Sequence, residues 1–513
     1  MEEADNAVRA QTAAPSVLAA APAAVEAREV PKNVAGIERW LLPGLLALAA
    51  LERIYLAWTD QGVVWSDEIF QSLEQAHRAV FGYGLIPWEF REAARSWLFP
   101  GAIALLWKPI AWLHLDRPLA LVMIARLAMI ALGLWGLWCT ARLAMRLAPE
   151  NAREERVDPK SRAAIWTVLL GAALPISLLF SFRALTEVAS APLLVAGVLW
   201  LLEGKARRAG LAIGAASFLR YQSALAGLAI LIWLLARRRW REAGQAVAGA
   251  AVIAAASGLL DWITWGEPFL PLARYVEINL FEGKASQFGV EPAAFYLRAF
   301  VAANGVPASI AIALGLLLIA RRAPGLLAIG LGFIAAHSLV PHKELRFILP
   351  VLPLLIALAA AGLARLPGRG EVPAIATAVA MAALLFAMTT RARALDFGEL
   401  GDGMMHPAGV KVWHSEEASN RMMLEASSRA DLCGLTVLSA PAWFTGGYTY
   451  LHRDVPLLFG AKEANFEASN YVIALLGTKG SKAYVKVAEW RGTGLFRREG
   501  PCSAPPPGYS RSF

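Results

Sequence analysis

The sequence predicts a polytopic α-helical membrane protein that ends in a small α/β domain. Three observations carry that expectation. Apolar runs of about 20 residues recur over most of the chain, the length that spans a hydrocarbon core of ~30 Å. Of 513 residues, 57% are apolar and 17% charged, too few charges to cover a soluble protein of this size. The net charge of +9 sits mostly in short loops between apolar runs. That is the distribution of the positive-inside rule, not of a nucleic-acid-binding face, so no nucleic-acid partner is expected.

Residues 1–36 are Ala-rich and poor in aromatics, and are expected to be a disordered cytoplasmic segment. Glu2, Glu3 and Asp5 stand where a signal peptide carries positive charge. Apolar runs follow at 40–58, 97–113, 118–147, 163–182, 185–202, 209–219, 221–236, 243–264, 298–319, 323–340, 346–364 and 371–390. Five loops between them are basic. They hold Arg153, Arg156, Lys160 and Arg162; Lys205, Arg207 and Arg208; Arg237, Arg238, Arg239 and Arg241; Arg321 and Arg322; and Arg365 and Arg369. If all five are cytoplasmic, an even number of crossings separates each consecutive pair. One run between 58 and 149 must then fail to cross. SWLFPGAIALLWKPIAWL is the short one, interrupted by Pro100, Lys108 and Pro109, and is expected to lie at the interface. This leaves about eleven transmembrane helices within a membrane domain at 37–390.

The same alternation puts 59–117, the turns at 183–187 and 220–222, 265–297, 341–346 and the tail 391–513 on the outer side. The tail is more polar, and its LTVLSA and YVIALLG runs read as strands. Three cysteines are too few for a disulfide framework. Cys433 and Cys502 share the outer tail, however, and are expected to pair in an oxidising compartment.

Chemistry is expected where ionisable groups gather on the outer side. Residues 65–84 read WSDEIFQSLEQAHRAVFGYG. Asp67, Gln71, Glu74 and Arg78 recur at helical spacing and would share one face. The plainer reading is that Ser66 caps the helix and Asp67 and Glu68 complement its dipole. A second cluster, HSLVPHKELRFILP, brings His342, Lys343, Glu344 and Arg346 to the outer end of a span. Charges at a membrane edge are costly and point to function, and basic head-group anchors belong mainly on the inside. Lys343 and Arg346, three apart, could converge on one phosphate. Arg183 with Glu187, and Arg220 with Gln222, add outward arginines at helix junctions; Asp261 ends a span. Carboxylates facing cations beside the bilayer suit transfer from a lipid-linked phosphate, with a base activating a hydroxyl and cations stabilising the departing phosphate. His77 reads as a packing residue. No metal-ligand set is legible, and no Walker, dinucleotide, HExxH or CxxC motif occurs. A lipid or sugar transporter or flippase is the alternative. Transporters, though, tend to show inverted repeats and broken helices at mid-membrane, whereas here the charges collect at one face.

The run DEIFQSLEQAHRAVFGYGLIPWEFREAARSWLFPG resembles the first luminal loop of the family-22 mannosyltransferases, nearest their third-GPI-mannosyltransferase branch. HKELRF is similar to the family's HKE-x-RF motif, and SFRALTE to its Arg-Thr-Leu segment. LCGLTVLSAPAWFTGGYTYLHRDVPLLF resembles the family's luminal tail, with Cys433 and His452 at matching places. Trp65-Ser66 stands where the family often has His-Pro, and CGLTVLSAP replaces its Cys-His-Ser-Thr-Pro run. The resemblance implies a GT-C glycosyltransferase fold with juxtamembrane helices in the first outer loop. It implies inverting transfer of mannose from a polyprenyl-phosphate-mannose donor to a glycan or glycolipid acceptor; the same fold moving another hexose is the nearest alternative. On it, Asp67 is the expected general base, and Glu68 either supports it or exchanges roles with it. Lys343, Arg346 and Arg183 would bind the donor phosphate and His342 would orient it. Glu74, His77, Arg220 and Glu344 would meet the acceptor or support the site. The Ala- and Arg-rich composition suggests a GC-rich bacterial genome, hence a multi-pass protein of the inner membrane with its active site on the periplasmic side.

Overall fold

The computed structural model describes residues 32–149, 158–366, 414–478 and 484–513. The loop carrying Arg153 and Arg156, the last expected span at 371–390, the expected boundary at 391 and most of the N-terminal segment lie outside the described residues. The first helix is Lys32–Thr59. It begins inside the segment expected to be disordered, so residues 32–36 are a correction to that expectation.

Helices stand where the apolar runs predict them, and prolines set many of their starts. Pro118, Pro159, Pro175 and Pro324 each occupy a first turn, where the missing N–H is no loss and the fixed φ favours the helix. Two expected spans are broken. The run at 163–182 divides into Pro159–Ala172 and Pro175–Phe180. The run at 298–319 divides into Phe295–Asn304 and Val306–Ile319, bent by 120° at Gly305, whose φ of +81° a residue with a Cβ adopts only under strain.

Among the described residues, four helices are long and apolar enough to cross a membrane: Leu42–Thr59, Pro118–Leu147, Trp240–Trp265 and Leu345–Leu363; the bent pair makes a fifth if it is one span. Thr186–Leu202, Tyr221–Ala236 and Pro324–Leu339 are shorter apolar helices. Leu98–Trp112, the run expected at the interface, is a helix of 15 residues. At 1.5 Å per residue it is about 22 Å long, short of a ~30 Å core.

The Leu345–Leu363 segment lies at the centre of the bundle, with 89% of its apolar window buried. Small residues let its neighbours approach. A Cβ on Gly315 would lie 2.3 Å from the Ala359 carbonyl oxygen, and one on Gly362 would lie 1.9 Å from that of Gly315. Backbone contact of this kind packs membrane helices, because lipid supplies no hydrophobic drive between them. Apolar side chains such as Trp58, Ile263 and Leu317 remain exposed, as a surface facing lipid requires.

The C-terminal domain is a five-stranded sheet of order β2-β1-β3-β5-β4, from β1 (Leu435–Val437), β2 (Leu457–Phe459), β3 (Tyr471–Leu475), β4 (Val485–Trp490) and β5 (Thr493–Arg497). β1 pairs in parallel with β2 and β3, and β5 joins antiparallel to β3 and β4. The two expected strands are β1 and β3. Cys433 and Cys502 form the expected disulfide, their Cα atoms 6.0 Å apart. One apolar core joins this domain to the first outer loop. Ile69, Phe70 and Leu73 of the loop share it with Met423, Tyr448, Ile473 and Leu495 of the domain. The charged groups of the loop are therefore held by a packed body on one side and by the helix bundle on the other.

Candidate active site

The helix of the first outer loop is not uniform. Ser66–Glu68 is α-helical, Ile69–Leu73 forms a π-turn, and Glu74–Phe81 is α-helical again. A π-turn winds less per residue than an α-helix, so it rotates everything after it, and such turns are frequent at functional sites. The single polar stripe expected from spacing is thereby broken. Asp67 turns to the membrane bundle and Glu74 to the C-terminal domain.

The bundle side is organised by Arg346. Its Nη1 lies 2.7 Å from Asp67 Oδ2 and 3.2 Å from Glu187 Oε1. Its Nε and Nη2 donate to the two oxygens of Glu344 at 2.6 and 3.0 Å, a bidentate fork. Glu187 also meets Arg220 at 3.2 Å, and the Arg220 guanidinium stacks 4.9 Å from the Phe347 ring centroid. The His342 ring donates from Nδ1 to the Gly289 carbonyl at 3.1 Å and from Nε2 to Glu344 at 3.1 Å. Burial opposes charge on His342, but Glu344 and the carbonyl raise its pKa above the ordinary value. Burial likewise opposes ionisation of Glu344, and Arg346 and His342 overcome it and hold its carboxyl well below the usual range. Among the three carboxylates around Arg346, the Asp67 side chain keeps 19% exposure, against 5% for Glu344 and 1% for Glu187. Asp67 is the one an incoming group can reach.

Glu68 faces a second, closed network. Arg183 is fully buried and donates to Asp60 Oδ2 at 2.6 Å, the Gly62 carbonyl at 2.7 Å and Glu68 Oε2 at 3.3 Å. Arg183, expected at the donor phosphate, ties the end of the first span to the helix that starts at Ser66. Lys343, also expected at that phosphate, is held by backbone carbonyls. Its ammonium donates to the carbonyls of Val340, Glu291 and Pro341 at 2.5, 2.7 and 3.4 Å, so Lys343 and Arg346 do not converge on one anion.

Glu74 and His77 bind the C-terminal domain. Glu74 accepts from the N–H groups of Leu85, Tyr448 and Thr449 and from the Thr449 hydroxyl, all at 2.7–3.0 Å. Burial raises its pKa and the four donors offset part of that rise. His77 donates from Nδ1 to the Tyr83 carbonyl and accepts at Nε2 from His452 Nδ1, both at 2.9 Å; burial pushes its pKa down to about 3. Neither side chain is open to an acceptor.

Asp60 and Glu89 of these networks were not singled out in the sequence, and Glu187 was named only beside Arg183. Glu187 bridges Arg346 and Arg220, and Asp60 anchors Arg183. Glu89, in the Trp-Glu pair of the loop, accepts from Gln71 Nε2 at 2.8 Å. Burial and then the Asp67 charge push its carboxyl up to about 7. Their common signal is a carboxylate beside an apolar run, which marks Asp60 and Glu187 as strongly as Asp67. No cluster of three or more His, Cys, Asp or Glu among the described residues is arranged to hold a metal ion.

Residues 45–411 match the model of the Alg9-like mannosyltransferase family. The chain belongs to that family. The matched stretch contains Asp67, Glu187 and Arg346 and leaves out the disulfide-linked sheet. GPI mannosyltransferase 3 of Yarrowia lipolytica is 29% identical over 336 residues, covering 63% of this chain and 62% of the relative. GPI mannosyltransferase 3 of Trypanosoma brucei brucei is 28% identical over 363 residues, covering 63% and 65%. The match thus spans just under two thirds of these relatives' length. The crystal structure of ArnT from Cupriavidus metallidurans bound to undecaprenyl phosphate aligns at a TM-score of 0.57 with 15% identity, covering 88% of this chain and 97% of that one. At that identity the likeness is one of fold, and it is the GT-C fold of a multi-pass membrane protein.

The His342–Glu344 pair sets a pH dependence. A histidine whose folded pKa is raised contributes stability that is complete below its unfolded value of ~6.5 and is lost as pH rises through the folded value. The melting temperature of the wild-type protein should therefore fall relative to His342→Gln as pH is raised from 6 to 9. Parallel melting profiles of the two proteins would show that the pair carries no such linkage.

Proposed function

We propose that the protein is an inverting mannosyltransferase. It moves mannose from a polyprenyl-phosphate-mannose donor to a hydroxyl of a glycan or glycolipid acceptor, on the periplasmic face of a bacterial inner membrane, with about eleven transmembrane helices. The observation that carries this reading is the contact between Asp67 and Arg346. It sets the most accessible carboxylate of the site against a buried guanidinium at the outer membrane edge. Family membership supports mannose as the sugar. The GT-C fold, shared with an ArnT structure whose bound molecule is undecaprenyl phosphate, supports a lipid-phosphate donor.

The reaction follows from these groups. The donor phosphate enters beside Arg346 and replaces Asp67 as the partner of Nη1. Glu344, fixed by His342, keeps the fork aimed at the phosphate; Arg220 adds a second cation through Glu187. The released Asp67 carboxylate takes the proton of the acceptor hydroxyl as its oxygen bonds to the anomeric carbon. The bond from that carbon to the phosphate oxygen breaks, and polyprenyl phosphate leaves with its charge held by Arg346. One displacement inverts the anomeric centre. Glu68 supports the helix through Arg183 and does not touch the hydroxyl. Base and phosphate share one cation, so the base is released only when a donor is present.

Asp67→Asn should lower kcat by about a hundred- to ten-thousand-fold, the usual cost of losing a general base, with polyprenyl phosphate binding retained. Arg346→Ala should weaken use of the donor by about 1.5–3 kcal/mol, the worth of a charge-assisted hydrogen bond, and Arg346→Lys should rescue poorly because the fork is lost. Turnover of both proteins with purified lipid donor checks this; an active Asp67→Asn enzyme would refute Asp67 as the base. Reporter fusions at Arg239 and Arg322 should read as cytoplasmic and those at Lys284, Lys343 and Gly434 as periplasmic. A cytoplasmic reading at Gly434 would overturn the topology and the side of the reaction together.

A further inference from the structure

A second group of polar side chains lies beside the carboxylates and is used by none of the steps above. Arg95 follows the Trp-Glu pair in the first outer loop. Its guanidinium lies 5.4 Å from the Tyr275 ring centroid. Arg183, Arg220 and Arg346 each have a carboxylate oxygen within 3.2 Å. Arg95, among the described residues, has neither a hydrogen bond nor an ion pair, and its Nε is buried without a partner. Asp261, buried at the outer end of the Trp240–Trp265 helix, accepts a hydrogen bond from Ser96 Oγ at 2.7 Å on one carboxyl oxygen. The other oxygen is unused among the described residues. Tyr221 and Tyr275 stand ring to ring at 5.4 Å, and the Tyr275 hydroxyl accepts from Gln222 Nε2. Glu89 accepts from Gln71, one turn after Asp67, and its backbone carbonyl accepts from the Ala94 N–H at 2.7 Å, which joins this group to the base.

The chemistry of the group selects its ligand. A phosphate here would meet Asp261 and Glu89, two carboxylates. A metal ion would meet Arg95. A neutral polyol meets neither obstacle, because each hydroxyl both donates and accepts. It can satisfy Arg95 and Asp261 together, while the apolar face of its ring lies on a tyrosine. A few convergent polar groups among aromatic rings is the general pattern of a small-molecule site. We infer that Arg95, Asp261, Tyr221 and Tyr275 form the subsite that holds a neutral sugar ring of the acceptor beside Asp67. This deepens the proposed transfer and rests on it.

The test uses the full chain in detergent with two probes, a neutral mannobiose and undecaprenyl phosphate, their dissociation constants measured separately. Asp261→Asn and Arg95→Gln should each weaken mannobiose binding by about tenfold, the scale of one lost hydrogen bond to a charged group, and Tyr275→Ala should weaken it by the loss of the ring face. Undecaprenyl phosphate binding should stay unchanged, which also shows that the variants fold. Tyr221→Phe, which removes only a hydroxyl, should weaken mannobiose in the same direction. Unchanged mannobiose binding across the variants overturns the subsite. So does a tenfold loss of undecaprenyl phosphate binding in Arg95→Gln, which would make Arg95 a donor ligand. If the wild-type protein binds mannobiose but not undecaprenyl phosphate, the transfer reading fails and the sugar site stands. If it binds undecaprenyl phosphate but not mannobiose, the subsite alone fails.

Discussion

Arg346 carries one charge and is claimed by three carboxylates. It is buried, as are Glu187 and Glu344, and ions held out of water are tolerated only when they are matched. Arg220 adds a second positive group, and His342 a third when it is protonated, against the three carboxylates. An added phosphate cannot join such a set without loosening a contact. Glu344 is bound by two guanidinium hydrogen bonds and by His342, and Glu187 is wedged between two arginines. Asp67 is held by a single contact and is the most exposed of the three. The balance of charge therefore decides which carboxylate yields, and on the proposed mechanism that is the base.

The rest of the outer body serves to keep Asp67 in place. The first-loop helix is clamped at Glu68 by Arg183 and Asp60, and at Glu74 by four donors, three of them from the C-terminal domain. The apolar core under Ile69, Phe70 and Leu73 makes the same join without charge. The C-terminal domain thus acts on the site at a distance. It fixes the helix downstream of the π-turn, and the π-turn sets the angle between that fixed part and the residues facing Arg346.

Much of this was legible in the sequence, and the misses have physical reasons. The apolar runs place the helices, because length and apolarity are properties of the chain itself; that residues 97–113 lie at the interface is an expectation from the arginine-rich loops alone. The motif residues Asp67 and Arg346 are legible because isolated charges at a membrane edge are rare and costly. For Arg183 and Lys343 the signal is less specific: a membrane-edge cation signals a requirement for a partner but not which partner. Arg183 found Asp60, and Lys343 found three carbonyls. The stripe from Asp67 to Glu74 fails because spacing arguments assume α-helical winding, and nothing in IFQSL announces a π-turn. The bend at Gly305 is hidden in the same way within an apolar run that reads as continuous.

The central claim is that donor phosphate and Asp67 compete for Arg346. A structure of the full chain with undecaprenyl phosphate bound tests it most directly. The account predicts the phosphate on the Arg346 guanidinium, the Glu344 fork intact, and the Asp67 carboxylate turned away from Nη1 into the open site. A phosphate bound elsewhere, with the Asp67–Arg346 contact unchanged, would contradict it.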